Sequence, residues 1–297
     1  MSSIQHIVIL GGGTMGQGIT ELVASKGFDA TLIETTEMNI AAARQEIERS
    51  LDRKLAKWGI TPAERKSTLS RIRFSTDKSL LAEADFVIET VSEDLELKKD
   101  LFAYCDQICR PEVLFASNTS TLSLTEIAAS TNRAEQVIGL HFVYPVTKRP
   151  VVEIVRGLKT SEETMSKVKE LLPLLQLESV EVYESPGFVT TRLMMLLVNE
   201  ALYTLTEGVA TAEEIDRAMK VGYHFHTGPL EMADRFGLDS VLAALERLFR
   251  EFGDTKFRPA PILKKMVRAG HLGMKTGEGI FRYNKEGDRL TGKGAIE

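Results

Sequence analysis

The sequence predicts an α/β fold: a doubly wound, mostly parallel sheet over residues 1–184, followed by an all-helical unit over residues 185–297. Three observations carry this prediction. A β-branched run, His6-Ile-Val-Ile-Leu10, leads straight into Gly11-Gly12-Gly13-Thr14-Met15-Gly16. Short apolar runs then alternate with helical patterns as far as Val182. Beyond Ser185-Pro186-Gly187 the strand signal stops.

The elements follow in order. Residues 6–10, apolar and bounded by glycines, read as a buried parallel strand, and Met15 to Ser25 continues at helical period. Asp29-Ala-Thr-Leu-Ile33 is a second strand, ending at Glu34. Residues 37–58 form a long amphipathic helix that stops near Gly59, and Thr61-Pro62-Ala63-Glu64 opens another with a cap signature. This helical hairpin, residues 37–70, is an insertion that protrudes from the simplest βαβ unit. Trp58 near its tip is expected to pack between the two helices, the alternative being a stack on a base. Strands are predicted at residues 72–75, 86–89, 113–116, 137–140, 151–155 and 179–182, with helices between most of them. In the second unit Leu193 to Val198 is apolar on every side, as a helix buried in a bundle or a dimer is. Gly208, the stretch Gly222 to Pro229, Gly237 and Gly253 punctuate further helices.

Composition excludes several classes. The 297 residues are 43% hydrophobic and 27% charged, ordinary for a folded globular chain. The balance of 37 Lys+Arg against 42 Asp+Glu gives a charge of −5, too acidic for broad capture of nucleic acid. Two cysteines, Cys105 and Cys109, make neither a disulfide framework nor a Cys-rich metal centre. His224 and His226 form a His-x-His with no third ligand in view, so no metal is expected. No apolar run reaches the ~18 residues of a membrane span. The chain enters a strand almost at once, without the basic flank and apolar core of an export signal. A soluble, cytoplasmic protein is the expectation.

Gly11, Gly13 and Gly16 fit G-x-G-x-x-G, and the context is specific: strand before, helix after, then a second strand ending in an acid. Glu34 lies 21 residues beyond Gly13, near the ~20-residue offset of the acid that binds an adenosine ribose. Gly11 permits the tight turn, Gly13 lets a pyrophosphate approach backbone N–H groups, and Gly16 lets helix and strand pack closely. A Rossmann-like dinucleotide site is expected, the alternative being a turn that binds nothing. The Glu34 carboxylate repels a 2′-phosphate, so NAD is preferred over NADP.

In doubly wound sheets ligands sit outside the carboxyl ends of the strands. The polar residues expected there are Glu89 and Glu93, Ser117-Asn118-Thr119-Ser120, His141, and Glu153 twelve residues later. All are expected to face one crevice with the glycine turn. A histidine beside a carboxylate and a serine suits general acid–base work on a hydroxyl. The carboxylate fixes the ring tautomer and stabilises the imidazolium. Two readings stay open: this one, or His141 as a hydrogen-bonded structural residue with Glu153 as a surface partner.

Over essentially the full chain the residues resemble the short-chain 3-hydroxyacyl-CoA dehydrogenases, including bacterial 3-hydroxybutyryl-CoA dehydrogenases. The matching stretches are residues 11–18, Ala116-Ser-Asn-Thr-Ser120, His141-Phe142 with Pro145, Glu153, Ser185-Pro-Gly-Phe188 with Arg192, Gly228-Pro229 with Asp234, Gly237-Leu-Asp239, and Lys275-Thr-Gly277 with Gly279. The resemblance implies an NAD-dependent oxidoreductase that interconverts a 3-hydroxyacyl-CoA and a 3-ketoacyl-CoA, and a homodimer. It implies His141 as general base, Glu153 as its charge partner and Ser120 as a donor to the substrate oxygen. Gly11, Gly13, Met15, Gly16, Glu34, Glu93, Lys98 and Asn118 match cofactor positions. Ser50 and Lys57, seven apart and hence on one helical face, match positions that hold the CoA nucleotide.

Two departures stand on the substrate side. Tyr144 and Thr191 replace asparagines of the family pattern, and a Thr hydroxyl has fewer donors and a shorter reach than an Asn amide. Losing one positioned donor at a developing charge costs ~10²–10³ in rate. Two alternatives therefore stay open: the same chemistry on a non-CoA 3-hydroxy acid held by Lys148 or Arg149, or an NAD-binding dimer with little catalysis.

Overall fold

The computed structural model describes residues 4–285 and 287–290. Its backbone divides into two units after Phe188.

The first unit is an eight-stranded sheet. The strands are β1 (His6–Leu10), β2 (Asp29–Ile33), β3 (Ile72–Ser75), β4 (Phe86–Glu89), β5 (Leu114–Ser117), β6 (Val137–Phe142), β7 (Val151–Arg156) and β8 (Glu178–Tyr183). Their spatial order is β3-β2-β1-β4-β5-β6-β7-β8. Every pair is parallel except β6–β7. The connection order reverses between β1 and β4, which opens a crevice beyond the carboxyl end of β1.

The continuous apolar runs follow from burial on both faces. In β1, Ile7 and Ile9 enter one core layer while Val8 and Leu10 enter the other, as a side-chain period of two requires. The layers are completed by α1 (Thr14–Ser25), α2 (Glu37–Ala56), α3 (Pro62–Ser70), α4 (Leu95–Ile108), α5 (Leu124–Ala129) and α6 (Glu162–Leu174).

Two expectations about the insertion are corrected. The α2–α3 hairpin does not simply protrude: α2 buries Ile40, Ala43, Ile47 and Leu51 in the core. Trp58 does not pack between the helices and is 95% exposed. Trp58 sits in the turn between the helices with left-handed backbone (φ 57°), three residues before the Thr61–Glu64 capping box opens α3.

The second unit holds α7 (Thr190–Thr206), α8 (Ala212–Tyr223), α9 (Pro229–Phe236), α10 (Leu238–Phe252) and α11 (Pro261–Arg268). Leu202, Leu230, Leu245, Phe257 and Ile280 lie at its centre. Within the chain α7 is not buried on every side. Met195 and Val198 are buried, but Leu193 is 61% exposed, because α8 to α11, which pack on α7, cover only part of its circumference. Two carboxylates pin this unit. Asp216 accepts the N–H groups of Leu230 and Glu231 at the start of α9, 2.8 and 2.9 Å away. Asp234 accepts from Ile280 N, Phe281 N and the Tyr283 hydroxyl at 2.8–3.0 Å. Among the described residues no helix is long and apolar enough to cross a membrane.

Candidate active site

The glycine turn is built as its spacing requires. Gly11 has φ +101° and donates its N–H to Ile33 O at 3.0 Å, which ties the turn to the end of β2. A Cβ on Gly16 would lie 1.9 Å from Gly11 O, so only glycine lets α1 start this close to β1. Gly13 caps α1 with extended backbone. A Cβ there would meet no protein atom within 4 Å, and would instead occupy the space ahead of the helix N-terminus, where a pyrophosphate approaches. Met15 is half-buried in the first turn of α1.

Glu34 closes one end of the crevice. Its Oε1 accepts Gly12 N–H at 2.7 Å, and its Oε2 accepts Thr35 N–H at 2.8 Å and Asn39 Nδ2 at 3.2 Å. Burial raises its pKa, but these donors outweigh burial and hold the carboxyl below its ordinary value. Glu34 is therefore ionised at neutral pH and fixed in place by its protein donors. The glycine turn and this carboxylate together fit a dinucleotide.

Beyond β4 and β5 the structure separates residues that were expected side by side. Glu89 and Ser117 do not face the crevice: both are fully buried. Ser117 Oγ donates to Glu89 Oε2 at 2.6 Å and Lys98 Nζ reaches Glu89 Oε1 at 2.5 Å. The buried carboxylate is matched by an ammonium reaching back from α4, which strand spacing does not reveal. Lys98 is itself 1% exposed, and its ammonium lies 3.5 Å from Glu93 Oε2. Glu93 is half-buried, and its Oε1 gathers the loop after β5, accepting from Thr119 Oγ1 (2.7 Å), Ser120 N (2.9 Å) and Thr121 N (3.1 Å). Burial raises its pKa, but the Lys98 charge and these donors carry the net shift downward. The Ser120 hydroxyl is half-buried and lies 3.4 Å from the same oxygen. Asn118 Oδ1 accepts Phe142 N–H at 3.0 Å, joining this loop to the end of β6.

His141 and Glu153 meet. The antiparallel β6–β7 register sets them directly opposite, so both side chains leave the same face of the sheet. His141 Nδ1 lies 2.6 Å from Glu153 Oε2. Glu153 is fully buried and His141 is 9% exposed. With Nδ1 turned to the carboxylate, Nδ1 carries the proton and Nε2 presents its lone pair. The surface-partner reading of Glu153 is excluded by its burial.

The ring of Phe188 packs against His141, with centroids 5.6 Å apart. Phe188 is buried and has φ +47°, an uncommon conformation for a bulky residue. Neither it nor Asn39 or Thr121 stood out in the sequence as functional; Thr119 was expected at the crevice only as part of Ser117-Asn118-Thr119-Ser120, and Phe188 carried a signal only as the last residue of Ser185-Pro-Gly-Phe. Tyr144 is half-buried on the loop after β6. Ser50 is half-buried near the end of α2, and Lys57 is exposed at its C-terminus. Thr191 is half-buried in the first turn of α7, in the second unit. His224 and His226 are both exposed, and among the described residues no three metal-ligating side chains converge.

Comparison with known proteins gives consistent findings. Residues 6–185 match the family described as 3-hydroxyacyl-CoA dehydrogenase, NAD binding domain, and residues 187–283 match its C-terminal domain. The chain is 42% identical to the 3-hydroxybutyryl-CoA dehydrogenase of Clostridioides difficile over 279 residues, 94% of this chain and 99% of that one. It is 41% identical to a probable 3-hydroxybutyryl-CoA dehydrogenase of Bacillus subtilis, over 95% of this chain and 99% of that one. The crystal structure of the (S)-3-hydroxybutyryl-CoA dehydrogenase of Ralstonia eutropha superimposes with a TM-score of 0.87 at 41% identity, covering 95% of this chain and 100% of that one.

Proposed function

Because the chain belongs to the 3-hydroxyacyl-CoA dehydrogenase family of NAD-dependent oxidoreductases, we propose that it interconverts a 3-hydroxyacyl-CoA and its 3-ketoacyl-CoA, with His141 as general base and Glu153 as its charge partner. The observation that carries this is the 2.6 Å contact between His141 Nδ1 and a fully buried Glu153. In oxidation, His141 Nε2 takes the proton of the 3-hydroxyl, and Glu153 compensates the charge that then spreads over the ring. In reduction the imidazolium returns that proton to the ketone oxygen. Bound NAD supplies the hydride acceptor.

Residues 1–184 hold the cofactor in this reading, and residues 185–297 serve the substrate and the contact with a second copy. Gly11, Gly13, Met15 and Gly16 take the pyrophosphate, and Glu34 takes the adenosine ribose. Glu93 shapes the loop that carries Asn118 and Ser120, Lys98 supports it from behind, and the Ser120 hydroxyl donates to the reacting oxygen. Ser50 and Lys57 take the CoA nucleotide. Tyr144 and Thr191 contact the substrate's reacting end, where the resemblance expects asparagines. The exposed Leu193 supports a homodimer through α7, and sedimentation as a 33 kDa monomer at micromolar concentration refutes that. Both cysteines are unpaired, in keeping with work in the reducing cytoplasm.

Acetoacetyl-CoA with NADH, followed by loss of NADH absorbance, tests the central reading. Turnover that collapses in His141→Ala with cofactor binding retained supports it. Activity only on free 3-hydroxy acids selects the non-CoA alternative, and tight NAD binding without turnover on either selects a binding module. Tighter binding of NADP than of NAD contradicts the role given to Glu34.

A further inference from the structure

Trp58 is the only tryptophan of the chain and is 95% exposed, an unusual position for a residue that is highly buried on average. Its backbone is held: Trp58 N–H donates to Leu55 O at 3.0 Å, and Gly59 N–H donates to Lys54 O at 2.9 Å. The residue adopts the left-handed conformation that closes many helices, φ +57°, a place usually given to glycine or asparagine. The fold accepts a steric cost and presents a flat aromatic surface to solvent at the tip of the α2–α3 hairpin.

Cations lie beside it. Ser50, Arg53, Lys54 and Lys57 are spaced i, i+3, i+4 and i+7 along the end of α2, and so share a face. Lys54 is taken by Glu21 of α1 at 2.6 Å. Among the described residues neither Arg53 nor Lys57 forms an ion pair, and both are exposed. This face is connected to the candidate active site within the first unit. One turn before Glu21, Gly18 packs so closely on Val146 that a Cβ would lie 3.1 Å from the valine Cβ. Val146 belongs to the loop that leaves the strand of His141.

We propose that Trp58 is a stacking platform for the adenine ring of the CoA thioester, with Lys57 and Arg53 alongside its phosphates. This rests on the CoA reading above and adds a binding residue to it. An indole stacks on a nucleobase through its π face, while an ammonium or guanidinium beside it meets a phosphate. The adenine of NAD is the wrong occupant. It belongs at Glu34, and the 20 residues of α2 separate that end from Trp58 by about 30 Å.

Because no second tryptophan is present, its fluorescence reports this site alone. Titration with CoA, or with adenosine 3′,5′-bisphosphate, is expected to quench or shift the emission saturably, whereas pantetheine and NAD leave it unchanged. Trp58→Ala is expected to raise KM for acetoacetyl-CoA about 5- to 150-fold, with kcat and the KM for acetoacetyl-pantetheine unmoved. Trp58→Phe keeps most of the affinity. An exposed side chain leaves folding intact on removal, and an unchanged melting temperature checks that. Turnover of acetoacetyl-CoA with silent emission, or an unaltered KM in Trp58→Ala, overturns the stacking role alone. Silent emission together with no turnover of any CoA thioester overturns the CoA reading and this inference with it.

Discussion

Replacing Glu153 by Gln removes the negative charge 2.6 Å from His141 Nδ1 while keeping the size and shape of the side chain. The magnitude follows from where the pair lies. Glu153 is fully buried and His141 nearly so, so bulk water screens their interaction poorly. Taking the charge centres of imidazolium and carboxylate as about 4 Å apart, at an effective dielectric constant near 20, gives about 4 kcal/mol of attraction. That stabilisation exists only once the ring is charged, that is, as the proton moves, so its loss falls on the chemical step. At 1.36 kcal/mol per decade, kcat is expected to fall about 10³-fold in Glu153→Gln. A second effect acts in the same direction. A Gln amide can donate to Nδ1, which moves the ring proton to Nε2 and blocks it as a base. The assay is NADH oxidation with saturating acetoacetyl-CoA, alongside an NAD titration and a melting curve. NAD affinity is expected to stay within about threefold, because Glu153 lies on β7, four strands away from the β1 that leads into the glycine turn. A kcat within threefold of the parent protein, with the variant folded, refutes the catalytic pair and returns His141 to a structural role.

Three further outcomes are expected. Gly13→Ala adds a Cβ that meets no protein atom within 4 Å, so its melting temperature should match the parent's while NAD affinity drops tenfold or more; Gly16→Ala meets Gly11 O at 1.9 Å and should lose about 3 kcal/mol of stability, and equal melting temperatures for the two variants refute this division. Burial of Asp234 outweighs its three hydrogen bonds and pushes its pKa up to about 6 from 3.8. The folded state then binds that proton more tightly than the unfolded chain, so this residue's contribution is full below pH 3.8 and is lost as pH rises through 6, by up to ~3 kcal/mol; denaturant melts of parent and Asp234→Asn from pH 4.5 to 7.5 should show the parent losing stability relative to the variant as pH rises, and a parent that holds level with or gains on the variant contradicts it. On the role proposed for Thr191, Thr191→Asn adds a donor toward the substrate and is expected to raise kcat on acetoacetyl-CoA by at least tenfold; no change or a loss counts against that role.

The sequence alone determined the order and type of the elements in the first unit. Alternating β-branched runs and glycine-bounded turns placed β1 and β2 to the residue, and the glycine spacing with Glu34 announced a dinucleotide site, because backbone sterics and side-chain period are local properties. Tertiary structure decided what those local rules do not contain. Antiparallel pairing across a hairpin, and not the twelve-residue interval, brings Glu153 opposite His141. Lys98 reaching back from α4 draws Glu89 and Ser117 into the interior and leaves Glu93 to organise the loop of Ser120. Phe188 reaches the imidazole only through the path of a chain folded back on the sheet. The apolar face of α2 was visible as a pattern, but a lone Trp58 carried no sign of being left in water. Exposure is a sum over neighbours distant in the chain, and it exists only once the chain has folded.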